Sequence, residues 1–283
     1  MSLIERSSSL RLDTVGVVQL ALKQYGLLGA TARFLTLRDE LRRFVARGTT
    51  RGARTQRREI LKRFAAVQAS VPCAHSPLQF VIIAEHLLGL DLPGDLVQCG
   101  AYKGGSTAKL SILAALTGRK LYVCDSFAGL PSNADSTRRY VSLGDQADYV
   151  FGAGEYAGSL AEVRENVRRT GELSVCQLVQ GWFSDTLPTL DARPAFVFTD
   201  VDYVSSARDC LRWLWPRLAP GGLWFTHEAS FLTYVEGIMD PEWWLETLHE
   251  PAPVLIGGGA GLSAAAPSLA YFRKKPLAAE EAV

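Results

Sequence analysis

From residue 76 onward, apolar runs of strand length alternate with stretches of helical periodicity, and this alternation constrains the fold more than any other feature of the chain. Strand-like segments fall at 95–99 (DLVQC), 120–125 (KLYVCD), 174–179 (SVCQLV), 194–200 (PAFVFTD), 221–227 (GGLWFTH), 252–256 and 268–273. Helical patterns occupy 78–88, 105–117, 158–170, 205–217 and 240–249 between them. Neighbouring parallel strands need a crossover of helix length, so this order predicts βαβ units around a mostly parallel sheet. The last two strands have no such segment between them and are expected as an antiparallel edge hairpin. No repeat of 20–50 residues is visible.

The first 63 residues read differently. They hold fourteen Lys/Arg against five Asp/Glu, a net +9, while the rest of the chain carries −8 and the whole only +1. Residues 14–47 place Val18, Leu22, Tyr25, Phe34, Leu37, Leu41 and Phe44 at helical spacing among arginines, with a break expected near Gly26 and Gly29. GTTRGARTQRR at 48–58 reads as a linker before a helix at 59–69. The chain is therefore read as a basic helical N-terminal extension over 1–69 and a catalytic body over 70–283. An acidic partner, a membrane surface or a second copy of the chain would each suit such a segment. A dimer contact is the preferred reading, peripheral membrane contact is the other, and nucleic acid is not expected.

Five cysteines without CxxC spacing, three of them in apolar strand-like runs, read as buried thiols rather than a disulfide or zinc framework. The N-terminus lacks the order of a signal peptide, so a cytoplasmic protein is expected. Pro251–Phe272 is uncharged for 22 residues, but four glycines, three prolines and many alanines favour short strands over a membrane span.

The chemistry gathers at strand ends. Gly100-Ala-Tyr-Lys-Gly104-Gly105-Ser106-Thr107 follows the first strong strand and opens a helix, where glycines allow close backbone approach and free N–H groups can meet a polar ligand. No lysine stands between Gly105 and the Ser-Thr pair, as a P-loop requires, and the glycine spacing fails the dinucleotide pattern. Gly259-Ala-Gly261-Leu-Ser-Ala264 comes nearest to that pattern but lies too close to the C-terminus to open a βαβ unit. A nucleoside cofactor without a pyrophosphate remains, and Asp125, at the tip of the next strand, suits a ribose diol. Asp200-Val-Asp202 and His227-Glu228 end two further strands, so these four polar side chains are expected to converge at the carboxyl edge of the sheet. His75, His86 and His249 are scattered and read as structural.

The order LPGDLVQCGAYKGGS, YVCDSFAGLP, VRENVRRTG, GWFSDTLPTL and FVFTDVDYVSSARDCLRWLWPRLAPGGLWFTHEA, over roughly 92–230, resembles the macrocin (TylF-like) O-methyltransferase family within the class I S-adenosylmethionine-dependent methyltransferases. The resemblance implies a Rossmann-like α/β fold: a doubly wound, mostly parallel seven-stranded sheet with an antiparallel edge strand. It implies S-adenosylmethionine as cofactor and, as acceptor, a hydroxyl of a sugar in a glycosylated metabolite or glycolipid. Carried over by position, Gly100, Tyr102 and Ser106 would surround the methionine part. Asp125 and Ser126 would meet the ribose, and Gly181-Trp182-Phe183 the adenine, with Asp200 also at the cofactor.

In the family, the equivalent of Asp200 and a pair of consecutive aspartates are associated with magnesium. Here that pair is His227-Glu228. An imidazole suits magnesium poorly, so Asp200 and Glu228, with His227, are candidate ligands of a site whose metal requirement stays open. The same exchange makes His227 a candidate base, with Asp200 and Asp202 as the other two. Pro131–Gly158, a long segment without period, is read with the N-terminal helices as a cover over the acceptor. The alternative class is a nucleoside-binding module without turnover, or a membrane-surface-associated module.

Overall fold

The structure, a computed structural model, describes residues 37–143, 147–263 and 266–276. The expected helix over 14–36 and the C-terminal residues from 277 on lie outside these. A helix over 37–46, α1, is followed by α2 (Arg51–Ser70) and α3 (Pro77–Leu88). Then come β1 (Asp95–Cys99), α4 (Gly105–Leu116), β2 (Leu121–Asp125), β3 (Tyr140–Val141), β4 (Asp148–Tyr149), α5 (Leu160–Thr170) and β5 (Cys176–Gln180). The chain continues with α6 (Phe183–Thr186), β6 (Pro194–Thr199), α7 (Val204–Leu214), β7 (Leu223–Thr226), α8 (Leu232–Ile238), α9 (Pro241–Leu248) and β8 (Ala270–Arg273).

The main sheet runs β5-β2-β1-β6-β7-β8, parallel throughout except for β8, which is antiparallel to β7. The order reverses between β1 and β6, and at such a switch the loops diverge and leave a crevice at the carboxyl ends. Side chains alternate across each strand and build two cores. Leu96, Phe196, Phe198, Leu223 and Phe225 face one layer with α2, α3, α4 and α5. Val97, Cys99, Val197, Trp224 and Phe272 face the other with α7, Tyr234 of α8 and Trp244 of α9. Truncating one such phenylalanine to alanine typically costs about 3–5 kcal/mol.

At the amino edge three cations each gather two or three backbone carbonyls. The Arg119 guanidinium donates to the carbonyls of Gly94, Leu90 and Leu92, and that of Arg217 to Leu187 and Leu190. Lys274 Nζ donates to the carbonyls of Trp215 and Pro216.

Four expectations change. The sheet has six strands among the described residues rather than seven, because 252–256 contributes only the bridge Ile256↔Tyr271. Pro251 and Pro253 there have no N–H to give to a ladder. The basic stretch 48–58 is no linker: α2 starts at Arg51 with Thr50 as its cap, the Ala53 N–H donating to Thr50 Oγ1 at 3.1 Å. Arg57 keeps this turn helical by reaching inward, its guanidinium 4.6 Å over the Phe44 ring and paired with Glu85. Leu37, Leu41 and Phe44, read as part of a dimer face, are buried in the chain's own core. Pro131–Gly158, read as a segment without period, contains a 3-10 turn at Ala134–Thr137 and a small antiparallel ribbon of β3 and β4.

Among the described residues no helix is long and apolar enough to cross a membrane. All five cysteines are free thiols.

Candidate functional site

Five strand ends are laced together by backbone hydrogen bonds along the carboxyl edge. The Gly181 N–H donates to the Asp125 carbonyl, Gly100 to Cys124, Asp200 to Cys99 and His227 to Thr199, all at 3.0 or 2.9 Å. This brings the sequence-nominated residues of β5, β2, β1, β6 and β7 to one line. The Gly100 turn is left-handed (φ 89°), and a Cβ there would collide with the Asp200 carbonyl oxygen. Glycine is thus required for the two central loops to cross at the switch point.

Asp125 is bound more tightly than a free ribose acceptor would be. Its Oδ2 accepts from the Ala101 N–H at 2.6 Å and its Oδ1 from the Phe127 N–H at 2.7 Å. Each oxygen keeps a second lone pair, so the carboxylate both braces the glycine turn and can still accept from a diol. Ser126 closes its own turn by donating to the Gly129 carbonyl. Ser106 lies buried and accepts from Gln98 Nε2 at 2.8 Å, so its hydroxyl supports the turn from below. Tyr102, also left-handed (φ 47°), makes an edge contact with Tyr156. Of the two aromatics, Trp182 is 41% exposed, whereas Phe183 packs against the core.

The densest chemistry surrounds Asp200. His227 Nδ1 stands 3.1 Å from its Oδ1, and His75 Nε2 stands 3.0 Å from its Oδ2. The two imidazoles are 4.5 Å apart, centroid to centroid. Burial opposes ionisation of Asp200, but His75 and His227 outweigh it and hold the carboxyl well below its ordinary range. Burial likewise opposes charge on His75, yet Asp200 and Cys73 raise it to about 10. Cys73, 3.4 Å from His75 Nδ1 and 3.5 Å from Lys109 Nζ, is lowered to about 6 because these neighbours overcome the effect of burial. Asp202 sits in the left-handed region (φ 57°), and burial, then Asp200 and Glu155, push it up to about 8. Glu228 is raised well above its usual range by burial, then by Asp200 and Asp202. Its Oε2 accepts from the Thr226 hydroxyl at 3.5 Å, while its Oε1 has no hydrogen-bond partner.

His75 is the residue that sequence reasoning missed. It comes from the segment between α2 and α3, which lies so close over the start of α4 that a Cβ on Gly105 would meet Cys73 Cβ at 2.9 Å. The only signal was local: Pro72-Cys-Ala-His-Ser-Pro77 holds a histidine between two prolines just before a helix cap. Among the described residues, one group of side chains could hold a metal, His75, Asp200 and His227, with one ligand atom from each all within 4.8 Å of one another; Glu228 is outside this group.

Residues 78–237, more than half of the chain, match the macrocin O-methyltransferase (TylF) family. Over 153 residues the chain is 38% identical to 8-demethyl-8-(2,3-dimethoxy-alpha-L-rhamnosyl)-tetracenomycin-C 4'-O-methyltransferase of Streptomyces olivaceus, covering 51% of this chain and 56% of that protein. It is 34% identical over 136 residues to mycinamicin III 3''-O-methyltransferase of Micromonospora griseorubida, covering 46% and 53%. The chain thus spans about half the length of the curated relatives it matches. The solved O-methyltransferase NovP aligns with a TM-score of 0.54 at 24% identity, covering 72% of this chain and 83% of that one. The calicheamicin methyltransferase CalS11 gives 0.53 at 17%, covering 77% and 92%. These two structures share the fold, and the match over 78–237 adds the family: the chain belongs to the macrocin O-methyltransferases.

Proposed function

We propose that this protein transfers a methyl group from S-adenosylmethionine to a sugar hydroxyl of a glycosylated natural product. The observation that carries the reading is the line of Trp182, Asp125, the Gly100 turn and Asp200 along one edge of the switch point. The relatives named for rhamnosyl and mycinamicin methylation supply the acceptor class.

The residues fit the cofactor. The turn at Gly100 presents bare backbone, Asp125 retains lone pairs for a diol, and the exposed Trp182 ring offers a face to a purine. When bound, the sulfonium supplies an activated methyl group, so the protein's part is to hold the acceptor oxygen in line and take its proton. Asp200 is engaged by two imidazoles and His227 by Asp200. Asp202 forms no hydrogen bond or ion pair with the described residues, and in our reading its ionised form, which predominates above about pH 8, accepts the proton from the hydroxyl. Arg138 and Arg139, the β3–β4 ribbon and the helices before residue 70 would cover the acceptor. We read the boundary of the catalytic body at residue 70, and a homo-oligomer in the cytoplasm.

The test is calorimetric titration with S-adenosylhomocysteine, followed by methylation of rhamnosylated and other deoxysugar-bearing polyketides read by mass. Micromolar binding and a methylated sugar are expected. Absence of binding overturns the cofactor, and binding without turnover on any sugar acceptor favours a nucleoside-binding module. Asp202→Asn should keep the binding and lose turnover; retained turnover would remove Asp202 from its role.

A further inference from the structure

Magnesium does not suit the donors gathered at Asp200. Magnesium asks for hard oxygen ligands, and two of the three convergent side chains are imidazoles. Two further carboxyl groups lie near the trio: Asp202, and Glu228, which is buried with Oε1 3.8 Å from His227 Nδ1.

The three side chains bring one ligand atom each within 4.8 Å of one another. His75 Nε2 is 3.0 Å from Asp200 Oδ2, yet the contact is not aligned as a hydrogen bond and that nitrogen has no hydrogen-bond partner. The side chain is only 4% exposed and so is shielded from bulk solvent. Ligand atoms sharing one ion with bonds near 2.1 Å sit about 3–3.5 Å apart; His75 Nε2 is 3.0 Å from Oδ2 and His227 Nδ1 3.1 Å from Oδ1 of Asp200, one nitrogen on each carboxylate oxygen. An outer partner is present as well. Cys73 Sγ lies 3.4 Å from His75 Nδ1, so that when an ion displaces the Nε2 proton, Nδ1–H stays turned toward sulfur and the Nε2 lone pair is free for the ion. Cys73 is itself held by Lys109 Nζ, which also donates to Gln68 Oε1 at 2.6 Å. Phe80 and Phe198 pack on the His75 ring and fix its plane.

We propose that His75, Asp200 and His227 form a binding site for one divalent transition ion of the zinc, cobalt or iron(II) class, in place of magnesium. Two imidazoles and one carboxylate are the donor set such ions prefer, and three protein ligands leave positions open for a substrate oxygen. Metal binding stands independently of the methyltransferase reading; only a role for the ion at the acceptor hydroxyl rests on it.

The test uses chelator-treated full-length protein titrated with zinc, cobalt and magnesium chlorides, with S-adenosylhomocysteine titrated separately. One equivalent of zinc or cobalt should bind at least about 100-fold more tightly than magnesium. His75→Ala should weaken zinc binding by more than the about 10–100-fold expected for loss of an outer partner, and Cys73→Ser by no more than that range. In the unsubstituted protein, nitrogen-15 spectra should show one equivalent of zinc shifting the ring signals of His75 and His227 while leaving His86 and His249 unmoved. This readout serves even where a substituted protein fails to fold. Tighter binding of magnesium, unshifted His75, or a Cys73→Ser loss equal to that of His75→Ala would overturn the assignment. Zinc binding without S-adenosylhomocysteine binding would leave this site standing and overturn the proposed function instead; the converse would overturn only the metal site.

Discussion

Gly100 and Asp200 meet backbone to backbone: the position where a Gly100 Cβ would stand is already taken by the Asp200 carbonyl oxygen. Gly100→Ala must therefore both enter a left-handed conformation and push β6 away from β1. We expect a loss of about 2–3 kcal/mol in stability, measured by chemical denaturation, together with weaker binding of S-adenosylhomocysteine. Unchanged stability would mean the two loops are not in contact.

Trp182 and Phe183 are neighbours with different surroundings. Trp182→Ala removes an exposed ring, so the unfolding midpoint should hardly move while affinity for S-adenosylhomocysteine falls about tenfold, the value of one aromatic stacking contact. Phe183→Ala should do the reverse, lowering stability more than affinity, because that ring packs on the core. Calorimetry and thermal melts of the pair separate the two; equal effects would defeat the distinction.

How much of this was legible in the sequence differs by element. Strands β1, β2, β6 and β7 announced themselves as apolar runs ending in polar residues, and those ends are where the site lies. Helix α2 was read too short because arginines look like solvent-facing residues, whereas Arg57 packs its stem on Phe44 and its charge on Glu85. Helix α8 has only seven residues and contains Gly237, too little for periodicity to register. His75 was invisible for another reason: its partner Asp200 is brought to it only by the sheet, and no local pattern encodes that approach.

The acid limb of stability should depend on Asp240. Its carboxylate caps α9 through the Glu242 and Trp243 N–H groups and pairs with Arg208 at 2.9 Å. The hydrogen bond from the Trp243 N–H is the largest influence; burial opposes it, and Arg208 and the Glu242 N–H add to the lowering, so its pKa lies below 3.8. A depressed pKa means that the folded state releases this proton more readily than the unfolded one. The stabilisation is therefore present above the unfolded value and lost as pH falls through the folded value. Asp240→Asn should melt lower near neutral pH, and the gap to the parent protein should close at low pH. A gap independent of pH would rule out this charge as its source.

Thr50 tests the corrected start of α2. Thr50→Ala removes the acceptor for the Ala53 N–H and should cost about 1 kcal/mol in denaturant unfolding. A neutral result would return residues 48–58 to the status of a linker.

Arg119, Arg217 and Lys274 leave the two rims of the sheet mechanically unequal. At the amino rim, chain reversals are riveted from inside by cations that each hold two or three carbonyls. The opposite rim is held mainly by single backbone links between neighbouring strand ends. The molecule is thus built like a clamped comb, with stiff roots and freer tips. Loop length and side chains can change at the tips with little disturbance of the rivets that keep the strands in register.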